Sequence, residues 1–148
     1  MHIHISIAKQ TLTLLNEGGM MASYVISSSA NGIGFEVGSH DTPTGRFEIR
    51  EKIGDDEPLG TIFRSRKVEG VWTGEASEED LVLTRILRLD GLAPENANSM
   101  ERYIYIHGTN HEELLGQPAS CGCIRMKNED VVDLYARIPE GTAVTIEA

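Results

Sequence analysis

The chain has 148 residues, 40% apolar and 24% charged, with a formal net charge of −10. That length suits one domain spanning residues 1–148, able to bury roughly two-thirds of its unfolded surface without a metal or disulfide staple. The acidic balance excludes nucleic acid as a main partner, since phosphate binding needs a basic footprint, and no apolar run reaches the ~20 residues needed for membrane insertion.

Residues 1–7 alternate Ile3, Ile5 and Ile7 with His2, His4 and Ser6, which predicts a strand. They lack the basic and apolar regions of a leader, so the expected compartment is the cytoplasm if Met1 is the native start. The periplasm or cell envelope is expected if a leader has been removed. Leu12 and Leu14 continue the alternation, Asn16-Glu17-Gly18-Gly19 predicts a hairpin turn, and residues 20–27 form the returning strand. Residues 28–32 form a loop, and Thr42-Pro43-Thr44-Gly45 leads into a strand over Arg46-Phe47-Glu48-Ile49. A polar turn follows at residues 54–60.

Ser77-Glu78-Glu79-Asp80 resembles an acidic helix cap, yet the alternation from Thr84 to Leu89 favours a strand over residues 81–89. After a polar loop at residues 91–100, Tyr103-Ile104-Tyr105-Ile106 forms a strand that delivers His107 at its end. Asn128 is the expected N-cap of a short helix whose first turn holds Glu129 and Asp130. Val131, Leu134, Tyr135 and Ile138 form its apolar face, and Pro139-Glu140-Gly141 stops it. Residues 143–146 close the chain as a strand. The fold class is mainly β with a short C-terminal helix.

The two cysteines stand two apart, in Cys121-Gly122-Cys123. A secreted disulfide framework separates its cysteines to close long loops, so this local pair is reactive or ligand-like instead. A thiol becomes a nucleophile when a base or a positive field favours its thiolate, and His107 precedes Cys123 by sixteen positions. Gly122 allows backbone N–H groups to turn inward as an oxyanion site requires, and Arg125 offers a cation for a substrate carboxylate. On spacing alone, a buried thiol pair without chemistry is an equal reading.

His107-Gly108-Thr109 followed by Ser120-Cys121-Gly122-Cys123-Ile124-Arg125 resembles the signature of the YkuD-type L,D-transpeptidases. Thr42-Pro43-Thr44-Gly45-Arg46-Phe47 is similar to a second segment of that family. The resemblance implies a β-sandwich or barrel-like catalytic domain acting on peptidoglycan stem peptides or muropeptides, without a cofactor. It implies Cys123 as nucleophile and His107 as general base, oriented through its other ring nitrogen by a backbone carbonyl. The Cys121-Gly122-Cys123 turn would be the oxyanion site, Arg125 would position substrate, and carbapenem-type β-lactams would inhibit. The thioester would pass to an amine, or to water in an L,D-carboxypeptidase; a weakly active peptidoglycan-binding or redox-responsive module is a third reading. Where the family usually has histidine, this chain has Cys121, a loss that affects rate.

Other residues carry weaker signals. Tyr105 lies two before His107 on one strand face, so it is a candidate substrate contact, or else core. Ser120 is a candidate substrate contact, or else it bonds or caps the catalytic turn. Trp72 lines a peptide cleft or belongs to the core. His111 follows His107 by four in a loop, which disfavours a metal site, and a zinc site of His107, Cys121 and Cys123 lacks a fourth ligand. His2, His4 and His40 are expected at the surface or in turns.

Overall fold

In the computed structural model, which describes residues 1–148, the N-terminal alternation becomes three antiparallel strands: β1 (His2–Ser6), β2 (Thr11–Asn16) and β3 (Gly19–Ser27). Ile3, Ile5, Leu12 and Leu14 are fully buried while their neighbours face outward. The remaining strands are β4 (Gly45–Ile53), β5 (Thr61–Arg64), β6 (Lys67–Val71), β7 (Val82–Gly91), β8 (Tyr105–Gly108), β9 (Ile124–Met126) and β10 (Ala143–Glu147). Ladders run β4-β10-β1-β2-β3-β9-β8-β7, and β7 pairs back to β4, closing a barrel. Closure leaves the ring itself without a free edge. β1–β10 and β8–β9 are parallel, and the other ring pairings are antiparallel.

Inward side chains of the ring form the main core, joined by Val131, Leu134 and Tyr135 of helix α1 (Asn128–Arg137) and by Ile138 just beyond it. The β5–β6 hairpin lies outside the ring, paired to the first residues of β7. Phe63 of β5 packs there with Ile86 and Tyr105, against Ile53, Val82 and Cys123. This second apolar cluster roofs the outer face of β7 and β8, where the candidate site lies.

Strand β7 is bulged between Leu83 and Ile86, with Thr84 at φ 75°. A β-branched residue there is strained by roughly 1–2 kcal/mol. Its hydroxyl accepts the Gly60 N–H at 3.0 Å and donates to Asn128 Oδ1 at 2.6 Å. The bulge thereby ties β5, β7 and α1 together.

Several expectations change. Asn128 is not the N-cap: it is the first helical residue, preceded by Lys127, which makes no side-chain cap. The Asn128 side chain turns into the protein, and the distant carboxylate of Glu112 accepts its backbone N–H at 2.8 Å. Tyr103 lies in a left-handed turn at φ 56°, so the strand expected from residue 103 begins at Tyr105 and continues through Gly108. Strand β7 runs past its expected end to Gly91, and the strand expected to begin with Arg46 extends to Ile53. The loop over residues 91–100 contains a 3-10 turn at Pro94–Asn96. The β5–β6 hairpin and β9 were not anticipated.

Candidate active site

Register assembles the site. In the parallel pair β8–β9, Ile106 faces Ile124 and His107 faces Arg125. Paired residues share a face, so Ile106 and Ile124 point into the core while His107 and Arg125 point outward. Tyr105 and Cys123, each two residues earlier, share that outer face. His107 and Cys123 are therefore diagonal neighbours, with Cα atoms on the order of 7 Å apart.

Cys123 is half-buried, and no hydrogen bond joins it to His107. The thiol donates to the Tyr103 carbonyl at 3.3 Å, and its sulfur accepts the Tyr105 N–H at 3.4 Å. Burial is the main cause that pushes this thiol up to about 12. The Tyr105 N–H opposes that rise, Asp80 and Cys121 add to it, and Arg125 opposes it. A neutral thiol is the resting state.

His107 is 1% exposed, and burial pulls its pKa below the usual histidine value. Asp80 and the Gly108 carbonyl oppose that shift, and Arg125 adds to it. Its Nδ1 contacts the Gly108 carbonyl, which can only accept, so Nδ1 carries the proton. Nε2 is then the basic lone pair, and it has no partner within the chain. The contact between a ring nitrogen and a backbone carbonyl that the resemblance implied is present.

Gly108 is required by a close approach. A Cβ there would sit 2.2 Å from Asn128 Oδ1 and 2.8 Å from the Leu83 carbonyl. Asn128 also donates to the Thr109 carbonyl at 2.8 Å and to Glu112. The His107-Gly108-Thr109 strand end is thus clamped from below by a residue the sequence suggested only as a cap.

The Cys121-Gly122-Cys123 turn is held on both sides. Ser120 Oγ donates to the Cys123 carbonyl at 2.6 Å and accepts the Gly122 N–H at 3.2 Å, a structural role. The Gly122 N–H is therefore occupied, whereas the amides of Cys121 and Cys123 have no acceptor in the chain. Thr42 Oγ1 donates to the Gly122 carbonyl at 2.9 Å and accepts the Ser29 N–H. The two sequence motifs, eighty residues apart, meet at this bond.

Arg125 is 3% exposed and does not stand free. Its Nε and Nη2 both reach Asp80 Oδ1, at 3.1 and 3.0 Å, and Nη1 is buried without a partner. Asp80 escaped the sequence reading because it sits in an acidic run with no distinguishing signal. Tyr105 belongs to the outer apolar cluster, and its hydroxyl accepts from Arg66 at 3.2 Å. Cys121 is exposed, and burial of its sulfur side followed by Asp80 pushes its thiol up. His40 lines the cleft beside Cys121, in a left-handed turn at φ 61°. His111 bonds the Glu79 carbonyl, and Trp72 donates to the Glu75 carbonyl away from the thiols. His2 bonds Thr145, and His4 pairs with Glu147. No three His, Cys, Asp or Glu side chains converge as a metal site.

The model of the YkuD L,D-transpeptidase catalytic domain matches residues 1–146. This chain belongs to that family. YkuD of Bacillus subtilis (strain 168), which carries the L,D-transpeptidase name, is 30% identical over 148 residues, covering 98% of this chain and 65% of the relative. YqjB of the same organism, similarly named, is 37% identical over 106 residues, covering 71% of this chain and 51% of the relative. The chain thus spans between half and two-thirds of these relatives. Among solved structures, an L,D-transpeptidase 3 from Mycobacterium tuberculosis with a faropenem-derived adduct superposes at TM-score 0.64 and 17% identity, covering 99% of this chain and 59% of that one. At that identity the likeness concerns the fold. Within this YkuD domain, Cys121 lies within electrostatic reach of the Asp80–Arg125 pair.

Proposed function

We propose that this YkuD domain is a peptidoglycan stem-peptide L,D-transpeptidase that uses Cys123 as nucleophile. The observation that carries this reading is the His107 tautomer: Nδ1 is committed to Gly108, leaving Nε2 as a free base on the face that bears Cys123. Resting thiol and imidazole are both neutral, so the proton moves during attack. Rotation of Sγ–H from the Tyr103 carbonyl toward Nε2 precedes it, a tightening expected on substrate binding.

The Cys123 sulfur forms a bond to the carbonyl carbon of the third stem residue as its proton passes to Nε2. The developing oxyanion meets the unoccupied amides of Cys121 and Cys123, since Gly122 already donates to Ser120. Collapse breaks the peptide bond, and the departing D-alanine amine takes the proton from His107. The thioester then reacts with an acceptor amine, which returns a proton through His107 and frees the thiol. Attack by water in place of the amine gives L,D-carboxypeptidase turnover from the same intermediate. Arg125, held by Asp80, has an unpartnered Nη1 beside His107, and a substrate contact there requires the side chains that cover this buried nitrogen to move.

Incubation with a tetrapeptide stem, with and without an acceptor amine, followed by mass spectrometry tests the proposal. A joined product is expected, with D-alanine released; release alone means hydrolysis, and no release overturns the reading. Solved neighbours include complexes with imipenem and a faropenem-derived adduct, which supports carbapenem acylation here. Cys123→Ala is expected to abolish that mass increment and Cys121→Ala to retain it. The reverse result would transfer the nucleophile role to Cys121.

A further inference from the structure

Next to the thiols, a cleft of about 210 Å³ is lined by Val37, His40, Glu101, Arg102, Tyr103 and Cys121. Arg102 is half-buried there. Its Nη1 donates to the Gly34 carbonyl at 3.1 Å, and its Nη2 donates to the Asp41 carbonyl at 2.6 Å and to Ser39 Oγ at 3.3 Å. Those acceptors are neutral, and Nε has none. Acidic residues outnumber basic ones by 23 to 13 in this chain, and Arg50, Arg64, Arg88, Arg125 and Arg137 each have a carboxylate within 4.0 Å. Arg102 has none.

We propose that Arg102 binds a free carboxylate of the peptide donor in this cleft and so selects donors that carry that charge. A guanidinium partly removed from water with no carboxylate in contact gains from any carboxylate that reaches it. Burial lowers the Arg102 pKa, while the Asp41 carboxylate and the Cys123 sulfur, when it is a thiolate, are near enough to raise it, so the cation lies within electrostatic reach of the reacting sulfur. The adjoining residue, Tyr103, supplies the carbonyl that holds the Cys123 thiol. Arg125 is a weaker candidate for this task because Asp80 already neutralises it. Glu101 on the cleft wall repels an anion, so the carboxylate is expected at the Arg102 side. The inference rests on the peptide acyl-transfer reading above.

The competing role for Arg102 is a clamp on the loop of residues 34–41, which a single substitution would not distinguish. The test therefore varies the substrate. Wild type, Arg102→Gln and Arg102→Lys are compared on a tetrapeptide donor and on three analogues, each amidated at one carboxylate: D-glutamate, diaminopimelate side chain, or terminal D-alanine. Arg102→Gln is expected to lower kcat/KM on the free donor by about 10–100-fold, the scale of one charge-assisted hydrogen bond. On one amidated analogue, wild type should already be that slow and Arg102→Gln should add nothing. Arg102→Lys should fall between, because it keeps the charge and loses the fork. Equal losses on all four donors, or none, overturn the proposal; should Arg102→Gln not fold, the same comparison with Arg102→Lys decides. Calorimetric affinities in a Cys123→Ala background give a readout independent of turnover. Arg102-dependent binding without D-alanine release from wild type would overturn the acyl-transfer reading and keep the carboxylate site; neither binding nor release would overturn both.

Discussion

Because burial penalises whichever form is charged, it pushes the Cys123 thiol up and the His107 imidazole down, and both rest neutral near pH 7. Alkylation of the free enzyme by iodoacetamide should therefore stay slow at neutral pH and rise only beyond the ordinary thiol range. His107→Ala should leave that profile unchanged, since no bond links the two groups at rest, yet slow acylation by roughly 10²–10⁴. A profile that shifts with His107→Ala would contradict the resting geometry. His107 should remain a competent base below its ordinary value of 6.5, placing the acid limb of kcat/KM lower than that. Because its folded pKa is depressed, the stability tied to neutral His107 is present above 6.5 and is lost as pH falls through the folded value. Gly108→Ala, whose methyl meets Asn128 and the Leu83 carbonyl, should displace the carbonyl that holds Nδ1. A loss of at least tenfold in acylation is expected, with thermal melts showing a destabilisation of about 1–3 kcal/mol. That His107 and the Cys121-Gly122-Cys123 turn would stand together was legible through the family resemblance, because their spacing alone left a thiol pair without chemistry as an equal reading. Asp80, Arg102 and the inward turn of Asn128 were not, because an acidic run, a loop arginine and a cap-like asparagine look alike whether or not they meet partners far along the chain.

Alternation revealed the strands that bury one face, such as β1 and β2, and the spacing of Val131, Leu134 and Tyr135 revealed α1. The β5–β6 hairpin stayed hidden because its turn residues, Ser65 and Arg66, both take positive φ without the glycine or asparagine that usually announces such a turn. Strand β9 was hidden by its brevity: three residues cannot establish a period. The bulge at Thr84 interrupts β7 where the pattern reads as continuous, and two buried hydrogen bonds compensate for its strained backbone. Thr84→Val keeps the shape but leaves the Gly60 N–H and Asn128 Oδ1 without this partner. It should destabilise the fold by about 2–4 kcal/mol, read as a lower urea midpoint at unchanged slope. A midpoint within error of wild type would mean that the bulge is held by packing alone.

The barrel is closed by the two ends of the chain. β10 lies between β1 and β4, pairing with β1 in parallel from His2–Ala143 to Ser6–Glu147. Deleting residues 143–148 would leave two interior strands as open edges and remove Val144 and Ile146 from the core. That variant should lose its cooperative thermal transition and its near-ultraviolet dichroism; a sharp melt would show that β1 and β4 re-pair without β10. The parallel sense of β1 and β10 also fixes how the domain bears a load. Pulled apart at its termini, the first strand is drawn one way and the last the other, so all five residue pairs of that ladder are sheared at once instead of being unzipped in turn. Tension applied through the chain ends meets the domain along its stiffest direction, whereas a pull between Met1 and the β2–β3 turn would peel the strands pair by pair.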